Sequence, residues 1–271
     1  MTAAEPRAPG GTLPPILVVP ALLGLALLVV PLGALVGRME WANLWADITS
    51  PEAIDALLLS LGTGGIATLV CTVLGMPLAL VIARARPGIA GVLRVLVTVP
   101  LVLPPMVGGV ALLFLFGRSS PVGEVLATWG ITLPFTTAAV VLAQVFVALP
   151  FLVLAVEGSL RTSGVEYENT AATLGAGRWR ILWRVTLPLA APGLLAGVIL
   201  CFARAIGEFG ATALFAGNAP GVTQTMPLAI YTAFNGAGVG QGTAVALSLL
   251  LLVTSLVVLL LVRGWRQGAP R

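Results

Sequence analysis

The sequence has no lysine and no histidine; all 14 of its basic residues are arginine. Without lysine there is no phosphate-binding loop of the G-x-x-x-x-G-K-[ST] type, so that route to ATP hydrolysis is closed. Without histidine there is no Ser-His-Asp or Cys-His nucleophile and no imidazole metal ligand. Cysteine is limited to Cys71 and Cys201, both inside apolar runs, where a small thiol serves as a packing residue. Charge is scarce as well: 9% of residues are charged against 58% hydrophobic. That leaves too little polar surface to cover a water-soluble globule. The mean hydropathy of +1.07 places the chain in a bilayer.

What is present is a series of long apolar runs. A hydrocarbon core takes about 20 helical residues, and that length is reached at 13–36, 56–83, 93–116, 133–156, 187–215 and 244–262. The expected fold is an all-α integral membrane protein with six transmembrane helices. It forms one domain over 13–263, with short cytoplasmic tails at 1–12, expected to be flexible, and 264–271. The first run exceeds the 7–15 residues usual for a signal-peptide core, so it reads as a retained span. With the N-terminus inside, the inner segments hold Arg7, Arg84, Arg86, Arg94, Arg161, Arg178, Arg180, Arg184, Arg263, Arg266 and Arg271. Only Arg38 and Arg118 fall outside, and Arg204 lies within a span. Arginine-rich loops stay cytoplasmic, so both termini are cytoplasmic. A pI near 10.0 invites a nucleic-acid reading. With the arginines spread over four inner segments and no soluble domain, topology accounts for them better.

Proline interrupts the spans at Pro77, Pro100, Pro104, Pro105, Pro150 and Pro192. Each removes a helix hydrogen bond, which suits helices that bend around a pathway and equally suits packing kinks. In the first outer loop, Trp41 and Trp45 are placed for the headgroup level. In the last, Thr225 is set to cap a short helix with Pro227 in its first turn. Leu228, Ile230, Tyr231 and Phe234 then fall mostly on one side, to pack between the spans or to meet an external partner. Arg204 and Glu208 are the only charges deep in a span, four residues apart and therefore on one helical side. Two readings fit them: an oxyanion relay in which Glu208 holds Arg204, or an ion pair fixing helix packing.

The most polar inner segment is "SGVEYENTAATLGAGRWRILWRVTLPLAAPG", residues 163–193. Ser163 and Glu166 have capping-box spacing, and Glu166 and Glu168 suit the first turns of a helix. Ala171, Ala172, Gly175 and Ala176 leave a bare side that another backbone can approach. Gly175 and Gly177 allow a bend, and Trp179, Leu182 and Trp183 add apolar area. Pro188 opens the fifth span where its missing N–H is harmless. This layout fits a docking knob for another protein or an amphipathic loop lying on the bilayer.

The segment resembles the cytoplasmic signature loop of ABC importer permeases, Glu-Ala-Ala, three residues, Gly, nine residues, Ile-x-Leu-Pro. Ala171, Gly175, Leu187 and Pro188 match with the spacing intact, and Val185 stands for the isoleucine. The glutamate position is Asn169, and the nearest acid, Glu168, lies one residue earlier. The stretches "LVLPPMVGGVALLFLFGR", "FARAIGEFGATALFAGN" and "TQTMPLAIY" extend the likeness to the permeases of molybdate importers, with sulfate/thiosulfate permeases as near relatives. The resemblance implies a type I ABC importer permease in a bacterial or archaeal cytoplasmic (inner) membrane. Such a chain is not itself an enzyme and binds no cofactor. ATP and Mg sit on a separate ABC ATPase subunit, in two copies, which grips the loop at about 157–186. The coupling residues would be Glu168, Ala171, Ala172, Gly175, Arg178, Trp179, Leu187 and Pro188, with Arg204 and Glu208 on the translocation pathway. Other implied partners are an external oxyanion-binding protein, membrane lipid and a second permease copy, because six spans are thin for enclosing a hydrated anion. The expected cargo is molybdate, with tungstate or sulfate/thiosulfate as alternatives. An ion-coupled secondary transporter using Glu208 is the competing class.

Overall fold

A computed structural model describes residues 15–236 and 241–267 of the chain. After a short 3-10 turn at Pro15–Leu17, the helices are α1 (Val18–Gly37), α2 (Leu44–Ile48), α3 (Pro51–Arg84), α4 (Pro87–Val102), α5 (Pro105–Phe116), α6 (Pro121–Thr128), α7 (Thr137–Ser163), α8 (Glu166–Thr173), α9 (Arg178–Ile181), α10 (Leu187–Ile206), α11 (Gly210–Phe215), α12 (Met226–Phe234) and α13 (Gln241–Gln267). The tail at 1–12 lies outside the described residues, as do 268–271. Residues 264–267, expected in the C-terminal tail, continue α13.

Helix starts are set by local chemistry. Ser50 accepts a hydrogen bond from the Ala53 N–H with Pro51 at the first turn of α3. Thr136 does the same for α7 through Ala139, and Ser120 for α6 through Gly123. Such caps satisfy backbone donors that the helix itself leaves free.

The core is a bundle of α3, α7 and α10, filled by Ala67, Cys71, Ala148, Leu152, Val153, Cys201 and Ala205. Its helices approach closely because small residues face backbone. A Cβ on Gly197 would stand 3.1 Å from Leu152 Cα, and one on Gly193 would run into Ser159. Small residues at helix crossings are the usual means of packing helices in lipid. Both cysteines are free and buried, and Cys71 donates to the Val145 carbonyl at 3.7 Å, so they pack as expected.

Among the described residues, four segments are long and apolar enough to cross a membrane: Val18–Gly37, Pro51–Arg84, Thr137–Ser163 and Arg178–Ile206. The run expected as a third continuous span, 93–116, is instead two helices, α4 and α5, bent by 109°. The cause is the Pro104–Pro105 pair: the residue before a proline is pushed out of the helical region, and Leu103 and Pro104 have ψ of 135° and 133°. The expected fifth span, 187–215, also breaks. Helix α10 ends at Ile206, and α11 starts afresh at Gly210. The sixth expected span falls on α13, whose described apolar part is the shorter Gly242–Val258. No residue of α1 is buried.

The two broken spans meet. Helix α11 packs on α5, where a Cβ at Gly109 would stand 2.8 Å from the Ala211 carbonyl oxygen and one at Gly210 would stand 3.0 Å from Pro105 Cβ. At the same end of the bundle α12 packs against α3 and α13, burying Met226, Leu228, Ala229 and Ala233 and leaving Tyr231 and Phe234 exposed. The expected apolar side is therefore split: Leu228 turns in, and the aromatics turn out. Thr225 occupies the cap position, but its hydroxyl makes no cap bond. The freed Met226 N–H is taken by Ser60 of α3 at 2.7 Å, a partner distant in sequence. Trp41 and Trp45 are exposed.

Gly109→Val places branched carbons against the backbone of Ala211, which no rotamer change relieves. The expected loss is about 1–3 kcal/mol, typical of overpacking, read as a lower unfolding midpoint in detergent. Gly65→Val, where no atom crowds the added Cβ, is the control expected to stay near wild type.

Candidate docking site

Helix α7 stops because Gly164 takes φ of 68°, a left-handed conformation that favours glycine. Ser163 is therefore the last residue of α7, and its hydroxyl donates back to Ser159 O at 3.0 Å. The capping box expected from Ser163 and Glu166 does not form, since Val165 occupies the cap position of α8 and makes no side-chain cap bond. Helix α8 ends in a Schellman motif: Gly175 has φ of 82°, its N–H reaches Ala172 O, and the Ala176 N–H reaches Ala171 O at 3.0 Å. Gly175 thus makes the turn itself. After it, α9 runs through a π turn at Leu182–Thr186 directly into α10. The order helix, bend, helix, span is as the sequence implies.

The expected coupling residues divide into two groups. Ala172, Gly175, Arg178, Trp179 and Pro188 are exposed, while Ala171 and Leu187 are half-buried. Glu168, on the same helical face as Ala171 and Ala172, is half-buried against the bundle. Its Oε1 pairs with Arg84 of α3 and accepts a hydrogen bond from the Thr186 hydroxyl at 2.8 Å. Its carboxylate braces α8 against α3 and the start of α10. A cleft of about 360 Å³ lies at this brace, lined by Leu80, Arg84, Asn169, Arg178 and Leu182 among others.

Three features were not read from the sequence. The first is Leu174, at the tip of the turn, which is 83% exposed, with Tyr167 exposed as well. An exposed leucine beside a glycine turn is the local signal for it. The second is Glu157 of α7, almost fully buried, whose Oε1 accepts from Arg94 Nε at 2.6 Å and lies 3.8 Å from Arg161. Because Arg94 is distant in sequence, spacing carries no trace of this pair. The third is Gln144 of α7, fully buried with neither amide atom hydrogen-bonded.

Arg204 and Glu208 do pair, Nη2 to Oε2, at 2.5 Å. Glu208 is 1% exposed, and its Oε1 also accepts the Ala211 N–H at 2.8 Å. The carboxylate therefore caps α11 and holds it to the end of α10. Of the two sequence readings this favours the packing one for Glu208. Arg204 keeps a quarter of its side chain accessible.

Comparison with known proteins gives a consistent result. Residues 72–267 match a protein family described as "Binding-protein-dependent transport system inner membrane component". The chain is 50% identical over 252 residues to the "Molybdenum transport system permease protein ModB" of Mycobacterium tuberculosis strain H37Rv, covering 93% of this chain and 94% of the relative. It is 41% identical over 216 residues to the protein of the same name from Escherichia coli strain K12, covering 79% and 93%. Among solved structures it is similar to a bacterial alginate ABC transporter in complex with alginate pentasaccharide-bound periplasmic protein. That likeness has a TM-score of 0.74 at 17% identity and covers 91% of each chain.

Glu208→Gln leaves Arg204 without its counter-charge and weakens the α11 cap. We expect a loss of about 1–3 kcal/mol, below the cost of breaking a fully buried pair because Arg204 is partly accessible. Arg204→Met combined with Glu208→Gln is expected to unfold at a higher temperature than Glu208→Gln alone. A thermal melt of the two variants in detergent checks the order.

Proposed function

Since this chain belongs to the family of binding-protein-dependent transport system inner membrane components, we propose that it is the membrane subunit of an ATP-driven importer whose cargo is molybdate. The observation that carries the proposal is the α8–α9 knob. It presents Leu174 and Trp179 outward and is braced against the bundle by the Glu168 carboxylate. A rigid apolar tip on a polar segment suits insertion into a groove on a second protein.

In this reading the α8 end is cytoplasmic, both termini with it, and the chain crosses the inner membrane six times, the third crossing bent at Pro104. Two ATPase subunits bind ATP and Mg and receive one knob each. Closure of that pair moves α8, and the spans respond by alternating access, opening a path from a loaded external binding protein toward the cytoplasm. The permease acts as a homodimer with the path between copies. The chain performs no chemistry of its own and binds no cofactor. Arg204, with its accessible guanidinium, is the charge available to a passing oxyanion, and Glu208 holds it. The shared name of the molybdenum relatives, and the near-complete length over which they align, support molybdate as cargo; tungstate has almost the same size and charge and is expected to compete.

The test is co-reconstitution with the ATPase and binding protein in liposomes. Molybdate uptake is expected to require ATP, to survive a protonophore and to be competed by tungstate more strongly than by sulfate. Collapse under the protonophore with ATP present would point to ion-coupled transport instead, and stronger competition by sulfate would reassign the cargo. Leu174→Asp is expected to weaken ATPase binding about thirtyfold, corresponding to about 2 kcal/mol at an interface anchor, while the permease melt is unchanged.

A further inference from the structure

The short connection between α3 and α4 places Arg84 at the end of one helix and Arg94 two turns into the next. Each arginine reaches across to a different part of the knob's support. Arg84 pairs with Glu168 on α8, and Arg94 pairs with Glu157 on α7, seven residues before the turn at Gly164. Both acids are well covered, Glu157 at 4% and Glu168 at 16% side-chain exposure. Thr186, the last residue of the π turn, joins the first pair through Glu168.

Ion pairs of this kind add little net stability over apolar packing, but breaking one leaves a charge stranded, so each fixes a relative position. From these contacts we infer that Arg84 and Arg94 form a two-point clamp that makes the α3–α4 hairpin move with the knob. The inference rests on the proposed function. A push on α8 passes through Glu168 to Arg84 and α3, and through α7 and Glu157 to Arg94 and α4. Helix α4 leads to the bend at Leu103–Pro104, beyond which α5 packs on α11 at the far end of the bundle. Wide turns of this type are frequent at functional sites, and here one lies between the knob and α10. Glu157 and Arg94 are thus positioning residues, remote from cargo and from nucleotide.

The test uses the full complex with ATPase and binding protein in nanodiscs and liposomes, comparing wild type, Glu157→Gln, Arg94→Lys, Glu157→Asp, Arg94→Glu, Glu157→Arg and the exchange that combines the last two. ATPase affinity is expected to stay within about twofold. Anion moved per ATP hydrolysed should fall about fivefold or more in Glu157→Gln, the lower end of ordinary coupling between sites. Glu157→Asp should recover part of the loss, and the exchange should recover more than either of its single changes. Spin labels on α8 and α4 should keep their separation on ATP addition in wild type and lose that correlation in Glu157→Gln. Should Glu157→Gln fail to assemble, Arg94→Lys keeps the charge and removes the Nε contact, and it carries the same expectation. Wild-type ratios in an assembled Glu157→Gln or Arg94→Lys complex would overturn the clamp and leave the proposed function standing. A wild-type complex with no ATP-dependent uptake would overturn the proposed function, and the clamp with it.

Discussion

The close approach of α7 and α10 at Gly193 and Gly197 governs the shape of the chain between those helices. With no side chain at either glycine, the backbone of α10 lies against Ser159, Ala155 and Leu152 of α7. In a bilayer there is no hydrophobic drive between helices, so association depends on such contact and on the polar groups it brings together. Because α10 is held tightly to α7, the chain leaving α7 at Gly164 and returning at Thr186 must fold back on itself. The result is a short helix, a glycine turn and a second helix rather than a broad loop. The knob is compact because its two ends are pinned side by side.

Pinning alone would leave α8 free to rock, and the acids remove that freedom. Glu168 faces α3 and Thr186 rather than solvent, which leaves Tyr167 and the tip at Leu174 outward. One carboxylate thereby fixes how α8 is turned about its own axis. The far end of the bundle uses the same device: Glu208 ties α11 to α10 through Ala211 and Arg204, and α11 in turn supports the bent helix α5 through the contact at Gly109. In both places an acid at a helix break restores the continuity that the break removed.

The sequence was most informative where physics acts locally. Apolar run length located α1, α3 and α7, the glycine at 175 located the turn, and the spacing of Ala171, Gly175, Leu187 and Pro188 located the knob. It was least informative where partners are distant. Ser163 looked like a cap because Glu166 follows at the right spacing, yet Gly164 ended the preceding helix one residue later and consumed the serine. Thr225 looked like a cap as well, but Ser60 on another helix supplied the bond. Composition also hid the breaks at Leu103–Pro104 and after Ile206, since a hydropathy window averages across a bend that backbone dihedral angles create. Glu168 was placed in the first turns of α8 by spacing alone, which says nothing of its partner. That partner is Arg84, 84 positions earlier in the chain.

The arginines show how one residue type serves two purposes. Charge asymmetry across the membrane asks only that they lie on one side, and any position on that side would do. Arg84 and Arg94 go further, since each meets an acid on a separate helix, whereas Arg86, Arg178, Arg180 and Arg184 form no ion pair among the described residues and remain exposed. The unpaired group is free to answer the membrane surface or a docking partner; the paired group is tied into the helices. Lysine would satisfy the first role equally well. A planar guanidinium with several fixed donors is better suited to the second, because it can hold a carboxylate in one orientation while packing its stem along an apolar helix. In a chain without lysine the same side chain is available for both roles, and the placement of ten acids decides which arginines are drawn into the structure.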